Sequence, residues 1–174
     1  MESCVHIYCG DGKGKTTAAI GLAVRASGCH KKVLIARFLK TDHSGEVLAL
    51  QSLSGITVMP CEWSFGFFTN MTQEQKKEAG IYYSQLLDAV LNKAAEESFD
   101  LLVLDEIMAV CNYGLVAEDK VLRFLTDRPL KLEVVLTGRN PSPQLIDQAD
   151  YVSEIKKIKH PYDRGINARR GIEY

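Results

Sequence analysis

Glycine, lysine and threonine alternate over residues 10–17, GDGKGKTT, directly after a short run of β-formers that includes Val5 and Ile7. Glycines permit a tight loop and close approach of the backbone to an anion, and a helix that starts after such a loop points its positive end at that anion. Backbone N–H groups in a concave loop bind phosphate in the same way. The segment therefore predicts a strand, a phosphate-binding loop and a helix.

Two side chains of this loop have defined roles in polyphosphate binding. Lys15 is expected to reach the phosphates, and the hydroxyl of Thr16 is expected to complete the coordination shell of Mg²⁺. The usual pattern GxxxxGK[ST] has its first glycine where this chain has Cys9, so the loop begins one residue late, at Gly10. The GKGKTT core between a β-run and a helix still favours nucleotide phosphate binding over a merely glycine-rich turn.

A strongly apolar segment at residues 99–106, FDLLVLDE, ends in two carboxylates. An acid at the carboxyl end of such a strand lies beside the phosphate loop in nucleotide-binding enzymes and helps to hold the metal. One of Asp105 and Glu106 is expected to orient Thr16 or a water on Mg²⁺, and the other to contact the metal or the substrate; the pattern leaves the assignment open. Arg139 also follows a predicted strand and either contacts phosphate or pairs with an acid.

Apolar runs and helical spacing alternate along the chain, which predicts a mostly parallel sheet with helices on both faces. After the first strand, further strands are predicted at residues 32–39, 55–60, 99–106, 132–136 and 151–158. Helices are predicted at residues 16–27, 48–53, 72–97, 117–126 and 141–150. Thr72 and Gln75 form a predicted capping box at the start of the longest helix.

Composition indicates one globular domain, since the chain has 174 residues with 46% hydrophobic and 25% charged residues. A net charge of −1 predicts no general attraction to nucleic acid or to an anionic membrane. The sequence has no apolar run of about 18 residues and no signal-peptide pattern, so we expect a cytoplasmic protein. The five cysteines form no CxxC pair, which favours reduced thiols over a zinc site or disulfides.

Two segments are irregular. Residues 61–71, CEWSFGFFTNM, hold the only Trp and three of the six Phe, so either the loop buries its own aromatics or it forms an apolar platform for a large flat ligand. Residues 159–174 are basic and lack a long helical period. Apolar residues recur in this tail, which predicts that it docks on another surface; they are Tyr162, Ile166, Ile172 and Tyr174.

Three separated patterns together resemble the ATP:corrinoid adenosyltransferases of the CobA/CobO/BtuR type: GDGKGKTTAAIGLAVRA, VLDEI, and LTGRNPSPQLIDQADYVSEIKKIKHPYDRGINARRGIEY. The resemblance covers essentially the whole chain, and the late-starting loop is similar to the family's own. It implies a RecA-like P-loop α/β fold with about six strands, usually as a homodimer. It also implies transfer of the 5′-deoxyadenosyl group of ATP to the Co(I) of a corrinoid, with release of triphosphate, Mg²⁺ or Mn²⁺ as the metal and a flavin-type reductant as a transient partner.

The resemblance also assigns site residues. Because Co(I) is a very strong nucleophile, no general base is needed, and catalysis reduces to positioning and to neutralising charge on the leaving triphosphate. The family implies that the nucleotide lies reversed relative to ordinary phosphate-loop enzymes. The implied nucleotide-binding residues are Gly10, Asp11, Gly12, Lys13, Gly14, Lys15, Thr16, Thr17, Arg25 and Arg139. The implied metal-binding residues are Thr16, Glu106 and Asp105, and the implied catalytic residues are Lys15, Thr16, Glu106 and Phe67.

Some family members use a Phe and a Trp in a GFxW stretch to keep a lower axial ligand off cobalt, which makes Co(I) easier to reach. The corresponding segment here reads Gly66, Phe67, Phe68, Thr69, with the Trp upstream at position 63. The resemblance assigns the role of the Phe to Phe67 and leaves the role of the Trp to either Phe68 or Trp63.

Two other functions remain open at this stage. One is a phosphate-loop ATPase or small-molecule kinase that transfers the γ-phosphoryl group and yields ADP. The other is a regulator that binds nucleotide or corrinoid without turnover, because a shared fold does not fix function. The departure from the family pattern around residues 63–69 is the feature that favours the regulator.

Overall fold

A six-stranded sheet forms the centre of the molecule. The computed structural model describes residues 3–40, 44–63, 65–66 and 68–173. Within these residues the strands are β1 (Val5–Cys9), β2 (Val33–Arg37), β3 (Ile56–Val58), β4 (Leu101–Asp105), β5 (Glu133–Thr137) and β6 (Tyr151–Glu154). They lie in the order β3-β2-β4-β5-β1-β6, and every neighbouring pair is parallel.

Helices connect the strands and cover the sheet. In the described chain they are α1 (Lys15–Gly28), α2 (Gly45–Gln51), α3 (Gln73–Glu96), α4 (Ile107–Asn112), α5 (Glu118–Asp127) and α6 (Pro143–Asp147). Short 3₁₀ turns occupy Phe68–Asn70 and Pro161–Arg164. None of the helices in the described residues combines the length and apolar character needed to cross a bilayer.

The two faces of the sheet are buried by different helices. On one face, Ala19 and Ala23 of α1 pack in a cluster with Val33 and Val103. On the other face, side chains of α3, α4 and α5 pack against alternate strand residues such as Leu34. The five residues of β2 and of β4 are all buried, as expected for parallel strands covered on both faces. The predicted parallel sheet with helices on both faces is confirmed.

Three of the differences between the predicted and the observed elements have a clear physical reason. The last strand is predicted over 151–158 but ends at Glu154, because this edge strand pairs with β1 alone and the chain then turns toward the phosphate loop. The helix predicted over 141–150 starts only at Pro143, since the Ser142 side chain accepts a hydrogen bond from Leu145 N and ends the preceding loop. Helix α4 is not predicted, because six mostly buried residues show no helical period.

The predicted capping box at the start of α3 is confirmed. The Thr72 hydroxyl accepts a hydrogen bond from Gln75 N at 3.2 Å, and Thr72 N donates to Gln75 Oε1 at 2.9 Å. The pair satisfies two backbone donors, one of them from the first turn of the helix. It therefore determines where the helix begins after the aromatic segment.

Replacing Thr72 with Ala is expected to lower the free energy of unfolding by about 1 kcal/mol, because the cap of α3 is lost. Urea denaturation followed by circular dichroism measures this change. Thr126→Ala is the matched control, since Thr126 is exposed within α5 and caps no helix: its hydroxyl donates back to Leu122 O and accepts from the exposed Gln148 side chain. Equal losses in the two variants would contradict the capping role.

Candidate nucleotide site

The phosphate loop connects β1 to α1 at the carboxyl edge of the sheet. Gly14 precedes the helix with a φ of 122°, in the region that favours glycine. The first bond of the helix runs from Ala18 N to Gly14 O at 2.8 Å. The amides of the residues in between therefore have no acceptor inside the helix and lie at its positive end, which is the arrangement that binds an anion.

Two of the loop glycines pack against the other end of the chain. Gly12 N donates to Ile155 O at 2.8 Å, and a Cβ on Gly12 would lie 2.7 Å from that oxygen. A Cβ on Gly10 would lie 2.4 Å from the same atom. The sequence pattern suggests that these glycines let the backbone approach an anion. In the structure their close neighbour is the backbone after β6, while Gly14 faces open space.

Lys15 is buried at the base of the loop. Its Nζ donates to Gly12 O at 2.9 Å, so the side chain folds back over the loop. Burial lowers the pKa of Lys15, and the cations Arg139 and Lys40 act in the same direction, while Glu106 opposes them. An anion placed in the loop would favour the charged form of this lysine.

Asp105, at the end of β4, is bound by three side chains. Its Oδ1 accepts hydrogen bonds from Thr16 Oγ1 at 2.9 Å and from Thr137 Oγ1 at 2.6 Å. Its Oδ2 accepts from Lys40 Nζ at 2.8 Å. Only 2% of the Asp105 side chain is exposed, so these donors compensate a buried carboxylate.

Glu106, the next residue, contacts this network through its backbone N–H. Its φ of 60° turns the chain sharply between β4 and α4, and its N–H donates to Thr137 Oγ1 at 2.9 Å. Its carboxylate lines the cleft. Burial raises the pKa of Glu106, and the adjacent Asp105 raises it further. Asp105 therefore contacts Thr16, whereas Glu106 lines the cleft.

A cleft of about 640 Å³ brings together most of the side chains that the sequence selects. Its walls include the predicted loop from Asp11 to Thr17, without Gly10, together with Glu106 and Arg139. Arg25 is not part of this wall. It is exposed in the last turn of α1, about 15 Å along the helix from Lys15 at 1.5 Å per residue.

The tail forms part of the wall of the cleft. His160, Ala168, Gly171, Ile172 and Glu173 all line it. The segment that leads into the tail is bound to the loop, because Lys157 N donates to Asp11 Oδ1 at 3.0 Å, a bond that lowers the pKa of that carboxyl. Within the tail, the Arg169 guanidinium binds the Glu173 carboxylate at 2.9 Å.

The aromatic segment divides between the core and the surface. Phe65 packs against Tyr82 and Tyr83 in the main core. Phe68 stacks on Tyr113 with ring centroids 4.3 Å apart, and Lys76 Nζ lies 4.6 Å from the Phe68 ring. Trp63 is 62% exposed. Phe67 lies outside the described residues.

Sequence reasoning misses three residues that shape the site: Lys40, Thr137 and Tyr113. The first two are polar residues at or just after the carboxyl ends of strands, where ligands bind in parallel sheets, so strand position is a usable signal for both. Tyr113 ends α4, a helix that is itself not predicted. No sequence signal indicates its stacking on Phe68.

Replacing Gly12 with Ala is expected to lower the free energy of unfolding by about 1–3 kcal/mol, as for other overpacked sites. The added Cβ would meet the backbone at Ile155 and Lys156, which cannot rotate away as a flexible side chain can. Urea denaturation gives the value. Gly21→Ala in α1 is the control, because its Cβ meets nothing within 4 Å and the change is expected to stabilise the helix. An unchanged free energy of unfolding in the Gly12 variant would show that the backbone at Ile155 and Lys156 can move aside at little cost.

Replacing Glu106 with Gln is expected to raise the free energy of unfolding of the ligand-free protein at pH 7. The raised pKa means that folding disfavours the charged carboxylate, so stability falls as the pH rises through the folded pKa. Below about pH 4 the unfolded chain is protonated too, and the gain should vanish. Glu96→Gln, at an exposed position of α3, is the control. A gain that is independent of pH would contradict the electrostatic cause.

Comparison with solved structures shows the fold. The chain is similar to a KaiC-like protein from the hyperthermophilic archaeon Pyrococcus horikoshii, with a TM-score of 0.50 and 14% identity over 89% of this chain and 73% of the other. Together with the parallel sheet and the phosphate loop, this similarity confirms the predicted RecA-like P-loop fold.

Sequence comparison shows the family. The family described as ATP:corrinoid adenosyltransferase BtuR/CobO/CobP matches residues 1–174. The corrinoid adenosyltransferase of Escherichia coli K12 is 33% identical over 98% of this chain and 85% of its own length. Corrinoid adenosyltransferase CobA of Salmonella typhimurium is 34% identical with the same coverage. The chain therefore belongs to the ATP:corrinoid adenosyltransferase family.

Proposed function

We propose that the cleft binds ATP and that the chain transfers its 5′-deoxyadenosyl group to the Co(I) of a corrinoid. The observation that carries this proposal is that the amino end of α1, with Lys15 and Thr16, lines one cleft together with Glu106 in a member of this family. In the transfer, a Co–C5′ bond forms and the C5′–O bond breaks. The bonding electron pair leaves with the triphosphate, and Co(I) is formally oxidised to Co(III).

The residues around the loop suit a reaction whose leaving group is the whole triphosphate. Lys13 and Arg139 are exposed cations on the cleft wall, and Lys15 lies beneath the loop. These cations and the free amides of α1 would stabilise charge that develops on the leaving oxygen. Nothing in this step requires a base, because the nucleophile is an electron pair on cobalt. The loop therefore acts by positioning and charge neutralisation.

The oxygen donors beside the loop fit Mg²⁺ or Mn²⁺. Thr16 supplies a hydroxyl, and Asp105 and Glu106 supply carboxylates, which are the ligand types of hard divalent cations. We propose that Thr16 and Glu106 hold the metal with Asp105 orienting Thr16. When bound, the metal would neutralise charge on the triphosphate.

We propose that the aromatic segment forms the corrinoid side of the site, with Phe67 as one of the catalytic residues. Support comes from α4, which begins after Glu106 in the cleft and ends at Tyr113 against Phe68. Six helical residues span about 9 Å, so the stacked pair lies near the nucleotide cleft. Of the two residues considered for the Trp role, Phe68 already contacts Tyr113 and Lys76, whereas Trp63 is largely exposed. Trp63 is therefore the better candidate for the role of the Trp in the GFxW stretch, because it remains accessible to a ligand.

The remaining partners follow from the family and complete the proposal. We propose that residues 1–174 form one domain and that 159–174 act as a docking tail over the nucleotide. This is supported by the tail residues on the cleft wall. A homodimer fits the exposed edge strand β6, where Tyr151 and Val152 are about half exposed. We also propose a cytoplasmic location and a flavin-type reductant that supplies the electron for Co(I).

Anaerobic incubation with ATP, Mg²⁺ and chemically reduced cobalamin is expected to give the visible spectrum of an alkylcobalt product, with inorganic triphosphate released. Formation of ADP without adenosylated corrinoid would instead support phosphoryl transfer. Binding of both ligands without any product would support a regulator.

Lys15→Ala is expected to reduce this turnover by about 10²–10³-fold, the size associated with losing one preorganised charge-stabilising group. Its thermal unfolding should change little. Lys77→Ala, on the exposed face of α3, is the matched control and should retain full activity. Normal adenosylation by the Lys15 variant would contradict the role given to the loop.

A further inference from the structure

Lys40 lies three residues after β2, and its side chain reaches the point where the loop and β4 meet. Its Nζ lies 2.7 Å from Thr16 Oγ1 and 2.8 Å from Asp105 Oδ2. The ammonium therefore bridges the Thr16 hydroxyl, which the proposed function assigns to the divalent metal, and the Asp105 carboxylate that orients this hydroxyl. The Asp105 side chain is 2% exposed and that of Lys40 is 30% exposed, so the pair is partly shielded from water.

The hydrogen bonds of Asp105 limit how a metal ion can reach its carboxylate oxygens. Oδ1 already accepts from two hydroxyl groups, those of Thr16 and Thr137. Oδ2 accepts from Lys40. The Thr16 hydroxyl gives its proton to Asp105 and offers a lone pair to Lys40. A metal ion that binds Thr16 Oγ1 or Asp105 Oδ2 would therefore have to take the place of the Lys40 ammonium.

We propose that Lys40 occupies the divalent cation position in the nucleotide-free site and is displaced when the metal binds. This inference rests on the proposed function, because it takes Thr16 and its neighbouring carboxylates as the metal site. A positive charge at this point compensates the buried Asp105 and keeps Thr16 oriented in the empty protein. The same charge disfavours binding of a divalent cation that arrives alone. A triphosphate in the adjacent loop would give the released ammonium a new anionic partner.

The bridge explains how one site can be preorganised before its metal is present. Without a cation, the Asp105 carboxylate would be buried with hydroxyl donors alone. The lysine lines the same cleft as the loop, so it can move toward a ligand there without leaving the site. Metal binding and triphosphate binding would then favour each other, because the metal displaces the Lys40 ammonium and the triphosphate gives this ammonium a new anionic partner.

The test measures binding of Mn²⁺ alone to the nucleotide-free protein, by electron paramagnetic resonance of the free ion. Lys40→Met is expected to bind Mn²⁺ at least 10-fold more tightly than the unmodified protein. Lys13→Met is the matched control, because it removes the same charge from the cleft wall without a contact to Asp105. We expect a change of less than 3-fold in this control.

Two results would overturn the proposal. Unchanged or weaker Mn²⁺ binding in the Lys40 variant would mean that the lysine only supports the site, and equal gains in both variants would mean that the effect is general electrostatics. If the Met variant does not fold, Lys40→Gln replaces it, since it removes the charge but keeps a hydrogen-bond donor. The measurement contains no corrinoid. A failure of adenosyl transfer would appear separately, in the cobalamin assay of the unmodified protein.

Discussion

The buried carboxylate of Asp105 is the constraint on which the site depends. A charge at the end of the central strand is tolerated only because donors from three other segments converge on it. Thr16 lies at the start of α1, Thr137 at the end of β5, and Lys40 in the segment after β2, so each hydrogen bond holds its segment against the end of β4. Thr137 also accepts the Glu106 amide, so the turn that directs Glu106 into the cleft depends on the same cluster. One buried acid thus sets the relative positions of four segments.

The phosphate loop is also shaped by contact between the two ends of the chain. Gly12 N binds Ile155 O, and Asp11 accepts from Lys157 N. Because Gly10 and Gly12 have no Cβ, the backbone after β6 can lie directly against the loop. The tail then continues across the cleft to Glu173. Part of the cleft wall is therefore built from residues 160–173.

The electrostatics of the cleft suit an anionic ligand. Burial lowers the pKa of Lys15 and raises that of Glu106, so each group is shifted toward its neutral form. A triphosphate and its metal would reverse both effects, since the anion favours the lysine cation and the metal favours the carboxylate. In this family such preorganised charge matters because the leaving group carries the developing charge of the reaction.

The sequence by itself determined the phosphate loop, the strand that ends in two acids, the alternation that makes a parallel α/β sheet, and the family. These features are local or periodic, and backbone and side-chain chemistry express them without distant contacts. Only the tertiary structure decided that Asp105 accepts a hydrogen bond from Thr16 while Glu106 lines the cleft. The two neighbours have the same chemistry, so their positions differ only because of how the chain turns between them. It likewise decided that Lys40 meets Asp105 and that Ile155 packs on Gly12, contacts between residues 65 and 143 positions apart. Such contacts arise when strands distant in sequence become neighbours in the sheet, and no local pattern encodes them.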